Sequence, residues 1–180
     1  STLVNVISGV FPRGDYEGVV VFKGKETHYR STKDSESDGL SIIHQELTLS
    51  PYLSIYENIF LGNMKTRFGV IDWDACLRDS YPLLKRVGLS EPPQTIVSKM
   101  SVGKQQLVEI ARAISRNAEL LIFDEPTSSL NDEESENLLK LLLEFKREGI
   151  TCIMISHKLD EVLAVADSIT ILRDGLSVAS

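Results

Sequence analysis

The chain has 180 residues, 42% of them hydrophobic and 25% charged, with a net charge of −7. This is the composition of a globular domain long enough to bury one sizeable core, and its acidity excludes nonspecific attraction to nucleic acid or to an anionic membrane surface. No apolar run is long enough to span a bilayer, and Cys76 and Cys152 lack metal-ligand spacing, so both read as buried thiols in a reducing compartment.

In chain order, Ser1-Thr2-Leu3 opens a helix that places Leu3, Val4, Ile7 and Val10 on one face, with Ser1 or Thr2 as its cap. Residues 17–22 (EGVVVF) read as a strand, Lys23-Gly24-Lys25 as its turn, and 26–39 as loop or short helix. Ser41-Ile42-Ile43 is a short apolar strand that delivers His44, Gln45 and Glu46 at its end. After Pro51, Ile55, Ile59 and Phe60 give residues 53–61 helical spacing. A longer amphipathic helix is predicted over 74–87, with Pro82 as a kink or the start of a new turn and Gly88 as its stop, and Glu91-Pro92-Pro93 as a rigid connector. The stretch from about 51 to 117 therefore reads as a mainly helical lobe inserted between strands.

Ser101 is a natural cap for a helix whose apolar face is Leu107, Ile110, Ala111 and Ile114. Its start is either a capped terminus and nothing more, or a set of unpaired N–H groups facing a phosphate. Leu120 to Phe123 then form an apolar run without alternation, the pattern of a strand covered on both faces. It runs into Asp124 and Glu125 and is stopped by Pro126. Residues 129–132 (SLND) cap a helix over 133–148 with Leu138, Leu141, Leu142 and Phe145 on its core face. Residues 150–155 (ITCIMI) are a further apolar strand with Ser156-His157 at its exit, followed by a helix over 158–166 and a strand over 168–172. The alternation predicts an α/β fold with right-handed crossovers over a parallel sheet.

Two acids at a strand end are equally a solvated terminus, and a lone histidine after a strand is usually structural. One parallel sheet, however, would gather Gln45, Asp124, Glu125 and His157 along its carboxyl edge, where open α/β sheets bind ligands. These residue types suit phosphoryl transfer, in which the protein mostly positions phosphates and neutralises charge. An acid at a strand end holds Mg²⁺, a second acid orients and deprotonates the attacking water, and an amide and an imidazole position that water and the γ-phosphate.

Together these segments resemble the nucleotide-binding domain of an ABC transporter, most closely the sugar-importer type with tandem ATPase domains, over essentially the whole chain. Asp124 and Glu125 match the Walker B motif, Gln45 the Q-loop, Ser101-Val102-Gly103-Lys104-Gln105 the signature, 129–132 the D-loop and His157 the switch histidine. Phrases such as IHQEL, LSIYENIFLG, SVGKQQ and ISHKLDEV resemble importers of ribose, xylose and related monosaccharides, and SSLND resembles the first of two tandem halves. The resemblance implies a P-loop NTPase core with an inserted helical subdomain, catalytic roles for Glu125, His157 and Gln45, and Mg²⁺ ligation by Ser1, Gln45 and Asp124. It also implies ATP contacts from Ser1, Thr2, Ser101, Gly103, Lys104, Gln105 and Asn131. The pattern departs at Val102, where a glycine is usual, at Lys104, where glutamine is usual, and at Asn131, where aspartate is usual. The glycine-rich phosphate loop and its lysine are not among these residues, so the expectation is a fragment cut just inside that loop, its phosphate-loop strand missing and its activity alone absent.

The expected protein is an ATP-hydrolysing subunit at the cytoplasmic face of the membrane, powering sugar import through permease subunits. Its helical lobe would dock on the permease, a second ATPase domain would complete the ATP sandwich, and a periplasmic or extracellular sugar-binding protein would act with it indirectly. A soluble ATPase acting on DNA or ribosomes, and a binding module without catalysis, are the alternatives. Acidity and the sugar-type phrases disfavour the first, and Glu125 disfavours the second.

Overall fold

The computed structural model describes residues 2–179. Along the chain run α1 (Thr2–Ile7), β1 (Val20–Phe22), β2 (Lys25–Thr27), α2 (Thr32–Ser37) and β3 (Leu40–Ile43). Then come α3 (Ile55–Phe60), β4 (Thr66–Arg67), β5 (Val70–Ile71), α4 (Trp73–Arg86), a single 3-10 turn (Val97–Lys99) and α5 (Val102–Ser115). The remainder is β6 (Leu120–Asp124), α6 (Asp132–Arg147), β7 (Thr151–Ile155), α7 (Leu159–Val165), β8 (Ile171–Arg173) and β9 (Leu176–Ala179).

A parallel sheet of order β3-β6-β7 carries the architecture, with Ile43 opposite Phe123 and Asp124 opposite Ile155. Central β6 is buried on both faces, as its unbroken apolar run predicts. Successive side chains on a strand point to opposite faces. Leu120 and Ile122 accordingly pack with Val4, Tyr29 and Leu40 on one side. Leu121 and Phe123 join the larger core on the other, which takes in Ile55, Ile59 and Phe60 of α3, Val108 and Ile110 of α5, and Leu138 and Phe145 of α6. The helical stretch between β3 and β6 thus shares one continuous core with the sheet.

Several sequence expectations are corrected. The strand foreseen over 17–22 begins only at Val20 and pairs with β2 in an antiparallel hairpin, whose turn residues Lys23 and Gly24 both have positive φ (52° and 74°), the requirement of the tight turns that match strand twist. The stretch 26–39 holds β2 and α2. Helix α1 stops at Ile7, and it buries Val4 while Leu3 and Val10 stay exposed. The inserted stretch also holds a short hairpin that was not foreseen, β4 and β5, turned by Phe68 and Gly69 at φ 53° and 81°. Helix α4 runs as one helix through Pro82. The strand foreseen over 168–172 starts at Ile171 and pairs antiparallel with β9, outside the parallel sheet.

Cover is uneven at the other end of the sheet. Among the described residues β7 pairs only with β6, leaving an open edge with Ile153 exposed, and α7 buries none of its residues. Cys76 is fully buried, as expected, while Cys152 on β7 is only half-buried. Burial still pushes the Cys152 thiol up to about 11, so it stays protonated and unreactive at neutral pH.

Candidate active site at the carboxyl edge of the parallel sheet

Strand β6 ends in a turn that the sequence dictates, because Pro126 has no N–H to extend a ladder. Just before it, Glu125 sits in the left-handed region at φ 49°, a conformation that costs a non-glycine residue energy unless its surroundings hold it. Two backbone bonds do so. The Glu125 amide donates to the Ile155 carbonyl at 2.9 Å, prolonging the pairing with β7, and the Ser128 amide donates to the Glu125 carbonyl at 3.2 Å. This turn brings the Glu125 carboxylate within 3.4 Å of Nδ1 of His157, with the acid about one-third exposed and the imidazole about two-thirds. Asp124, the last residue of β6, is half-buried alongside.

Gln45 lies two residues beyond β3, and the β3-β6 register carries its stretch toward the same edge. It is exposed and makes no side-chain hydrogen bond among the described residues, so its amide is free for a ligand. What fixes this stretch comes from the helices. Glu109 of α5, itself buried, accepts from both the amide (2.5 Å) and the hydroxyl (2.8 Å) of Thr48. Fully buried Asn58 of α3 accepts from the Ser50 amide at 2.8 Å and donates back to the Ser50 carbonyl at 3.0 Å. Neither residue was singled out from sequence: a carboxylate amid the apolar positions Val108 and Ile110 was the available signal.

A second group forms where α5 and α6 begin. Ser101 caps α5, accepting from the Lys104 amide at 3.4 Å, and its hydroxyl donates to Glu134 at 3.2 Å. Asn131 caps α6, accepting from the Glu134 amide at 2.8 Å, while its own amide donates to the Glu134 carboxylate at 3.3 Å. Glu134 therefore joins the two helix starts, and Gly103 lies so close that a Cβ there would stand 2.5 Å from that carboxylate. The Asn-x-x-Glu spacing was legible as a capping box. The other residues of the stretch are occupied: Lys104 pairs with Glu91, and Gln105 donates to the Met100 carbonyl at 2.9 Å. Thr2 is exposed at the first position of α1, and Ser1 lies outside the described residues.

Residues 1–128 match the family described as ABC transporter. The chain belongs to the ABC transporter family. It is 56% identical over 178 residues to the L-arabinose transport ATP-binding protein AraG of Geobacillus stearothermophilus, covering 99% of this chain and 35% of that protein. It is 48% identical over 178 residues to the xylose import ATP-binding protein XylG of Thermoanaerobacter pseudethanolicus, with the same coverage. The fold matches, with a TM-score of 0.79 at 24% identity over 99% of this chain and 78% of the other, the dimeric structure of a post-hydrolysis state of an ATP-binding cassette bound to ADP and Pi. The chain spans about a third of the length of these curated relatives.

One feature of this ABC domain separates positioning from stability. The second carboxylate oxygen of Glu109 is buried without a partner, and an orphaned buried acceptor costs about 1–3 kcal/mol, roughly what the two bonds to Thr48 return. Glu109→Met is therefore expected to unfold in urea within about 1 kcal/mol of the parent, while the Thr48 amide exchanges faster with solvent. A loss near about 3 kcal/mol with unchanged exchange would contradict this balance.

Proposed function

We propose that this chain is part of an ATP-hydrolysing subunit that drives import of a monosaccharide through a separate membrane permease. The observation that carries the reading is the 3.4 Å approach of Glu125 to His157 at the end of β6, beside Asp124. Glu125 takes a proton from the water that attacks the γ-phosphorus, the bond from that phosphorus to the ADP oxygen breaks, and ADP leaves. His157 and Gln45 hold the water and the γ-phosphate. Asp124 and the Gln45 amide oxygen are hard oxygen donors of the kind Mg²⁺ takes, with Ser1 proposed as a third ligand, and Mg²⁺ bound there would neutralise phosphate charge.

The start of α5, through Ser101, Gly103, Lys104 and Gln105, together with Asn131, faces ATP held by a second ATPase domain, since helix N-termini favour anions. A neighbour of the same fold is dimeric with ADP and Pi, which supports that arrangement. Thr2 contributes on the chain's own nucleotide. The names of the relatives support arabinose or xylose as the class of cargo, and an acidic chain fits a protein partner at the membrane better than lipid or nucleic acid.

The permease docks on the lobe around residues 51–61, where Tyr52 is 85% exposed. The test is uptake of labelled arabinose and xylose by cells carrying the full-length protein and its permease. Tyr52→Asp is expected to lower uptake about tenfold, as loss of an aromatic anchor does, while the protein still folds. Unchanged uptake across a panel of pentoses and hexoses counts against sugar import through this surface.

A further inference from the structure

We infer that Lys158, Glu161 and Thr127 form a clamp that sets the spacing between Glu125 and His157, with Lys158 a positioning residue for hydrolysis; this rests on the ATPase reading above. Thr127, two residues past Glu125, is 2% exposed. Its hydroxyl donates to one oxygen of Glu161 at 2.5 Å, and its carbonyl accepts from the Lys158 ammonium at 3.1 Å. That ammonium also donates to the other Glu161 oxygen at 3.0 Å, closing the ring. On the far side of His157, the Lys158 amide donates to the Ser156 hydroxyl at 3.0 Å, so the histidine is bracketed by a bonded pair.

The ring touches neither the Glu125 carboxylate nor the His157 imidazole, yet it joins the two turns that present them. Its weight comes from what the neighbourhood lacks. Helix α7 leans on α6 with Val162 and Val165 only half-buried, so apolar packing holds the His157 turn weakly, whereas the Glu161 side chain is only 14% exposed and sits in a charge-assisted ring. The left-handed Glu125 likewise needs its surroundings to hold it. A displacement of about 1 Å between reacting groups is enough to cost about a hundredfold in rate.

The experiment uses the full-length protein in five forms: parent, Lys158→Met, Lys158→Arg, His157→Ala, and Lys158→Met combined with His157→Ala. Lys158→Met is expected to lower kcat for ATP hydrolysis about ten- to a hundredfold with KM for ATP within about twofold. Lys158→Arg should restore most of it, and adding Lys158→Met to His157→Ala should cost nothing further, because the clamp acts through His157. Wild-type kcat in Lys158→Met, or losses that add to those of His157→Ala, would overturn the inference.

Amide exchange over 156–158 supplies a readout that needs no turnover. It should quicken at least about tenfold in Lys158→Met while β6 stays protected, and unchanged exchange would overturn the clamp whatever the activity. A parent that hydrolyses no ATP, with the exchange change still seen in Lys158→Met, would sink the ATPase reading and leave the clamp standing as geometry.

Discussion

Glu125→Gln in the full-length protein is expected to leave ATP binding intact and to lower hydrolysis by at least about two orders of magnitude, the usual scale for losing a general base. The substitution is nearly isosteric and asks nothing new of the backbone. Glutamine meets the same cost at φ 49° that glutamate does, and the amide bond to the Ile155 carbonyl is untouched. What disappears is the proton acceptor 3.4 Å from His157. Steady-state turnover and calorimetric titration of ATP measured side by side separate chemistry from binding, and wild-type turnover in the variant would remove Glu125 from the mechanism.

Phe123→Ala should be the most destabilising single change near the site. Phe123 is fully buried in the central strand, lies between Ile43 and Met154 in the sheet register, and belongs to the core shared with α5 and α6. Truncating a phenylalanine in such a place costs about 3–5 kcal/mol through lost transfer energy and a residual cavity, a large part of the roughly 5–15 kcal/mol that holds a domain together. The urea midpoint of the full-length variant would fall accordingly. A loss under about 1 kcal/mol would mean that this face of β6 is not the packed side.

Legibility from sequence followed the length and clarity of each pattern. The run Leu120 to Phe123 carried enough contrast to fix a buried strand, and the leucine spacing of α6 fixed its core face. Hairpin β4-β5 has two residues per strand, too few to show alternation, and only the Phe68-Gly69 pair hints at its turn. The face read for helix α1 was right at Val4 and Ile7 and wrong at Leu3 and Val10, because six residues make less than two turns and fix the limits of a face poorly.

Within the site, the residues at strand exits were readable because the sheet edge gathers them by topology. The ties that hold them were not, since Glu109 with Thr48 and Glu134 with Ser101 are contacts between distant segments that no local period encodes. Gly103 shows the difference: its presence matched a motif, while the close approach of Glu134, whose carboxylate would have to shift to admit a Cβ, became visible only in three dimensions.

The parallel order β3-β6-β7 also has a consequence in time. Strand β3 finds its neighbour β6 only after the whole stretch holding α3, α4 and α5 has been made. Closing so long an intervening segment adds little to the equilibrium cost, which grows only logarithmically with length, but pairings remote in sequence slow the search. During synthesis the helices between them are complete first, and their contacts are local enough to form as they emerge. Strand β6 then arrives with both partners still to be satisfied, so the Leu120 to Phe123 run is the segment most exposed to mispairing while the chain folds. A refolding trace would carry that signature as a fast helical phase followed by a slower gain of sheet, the slower phase alone lengthening in Phe123→Ala.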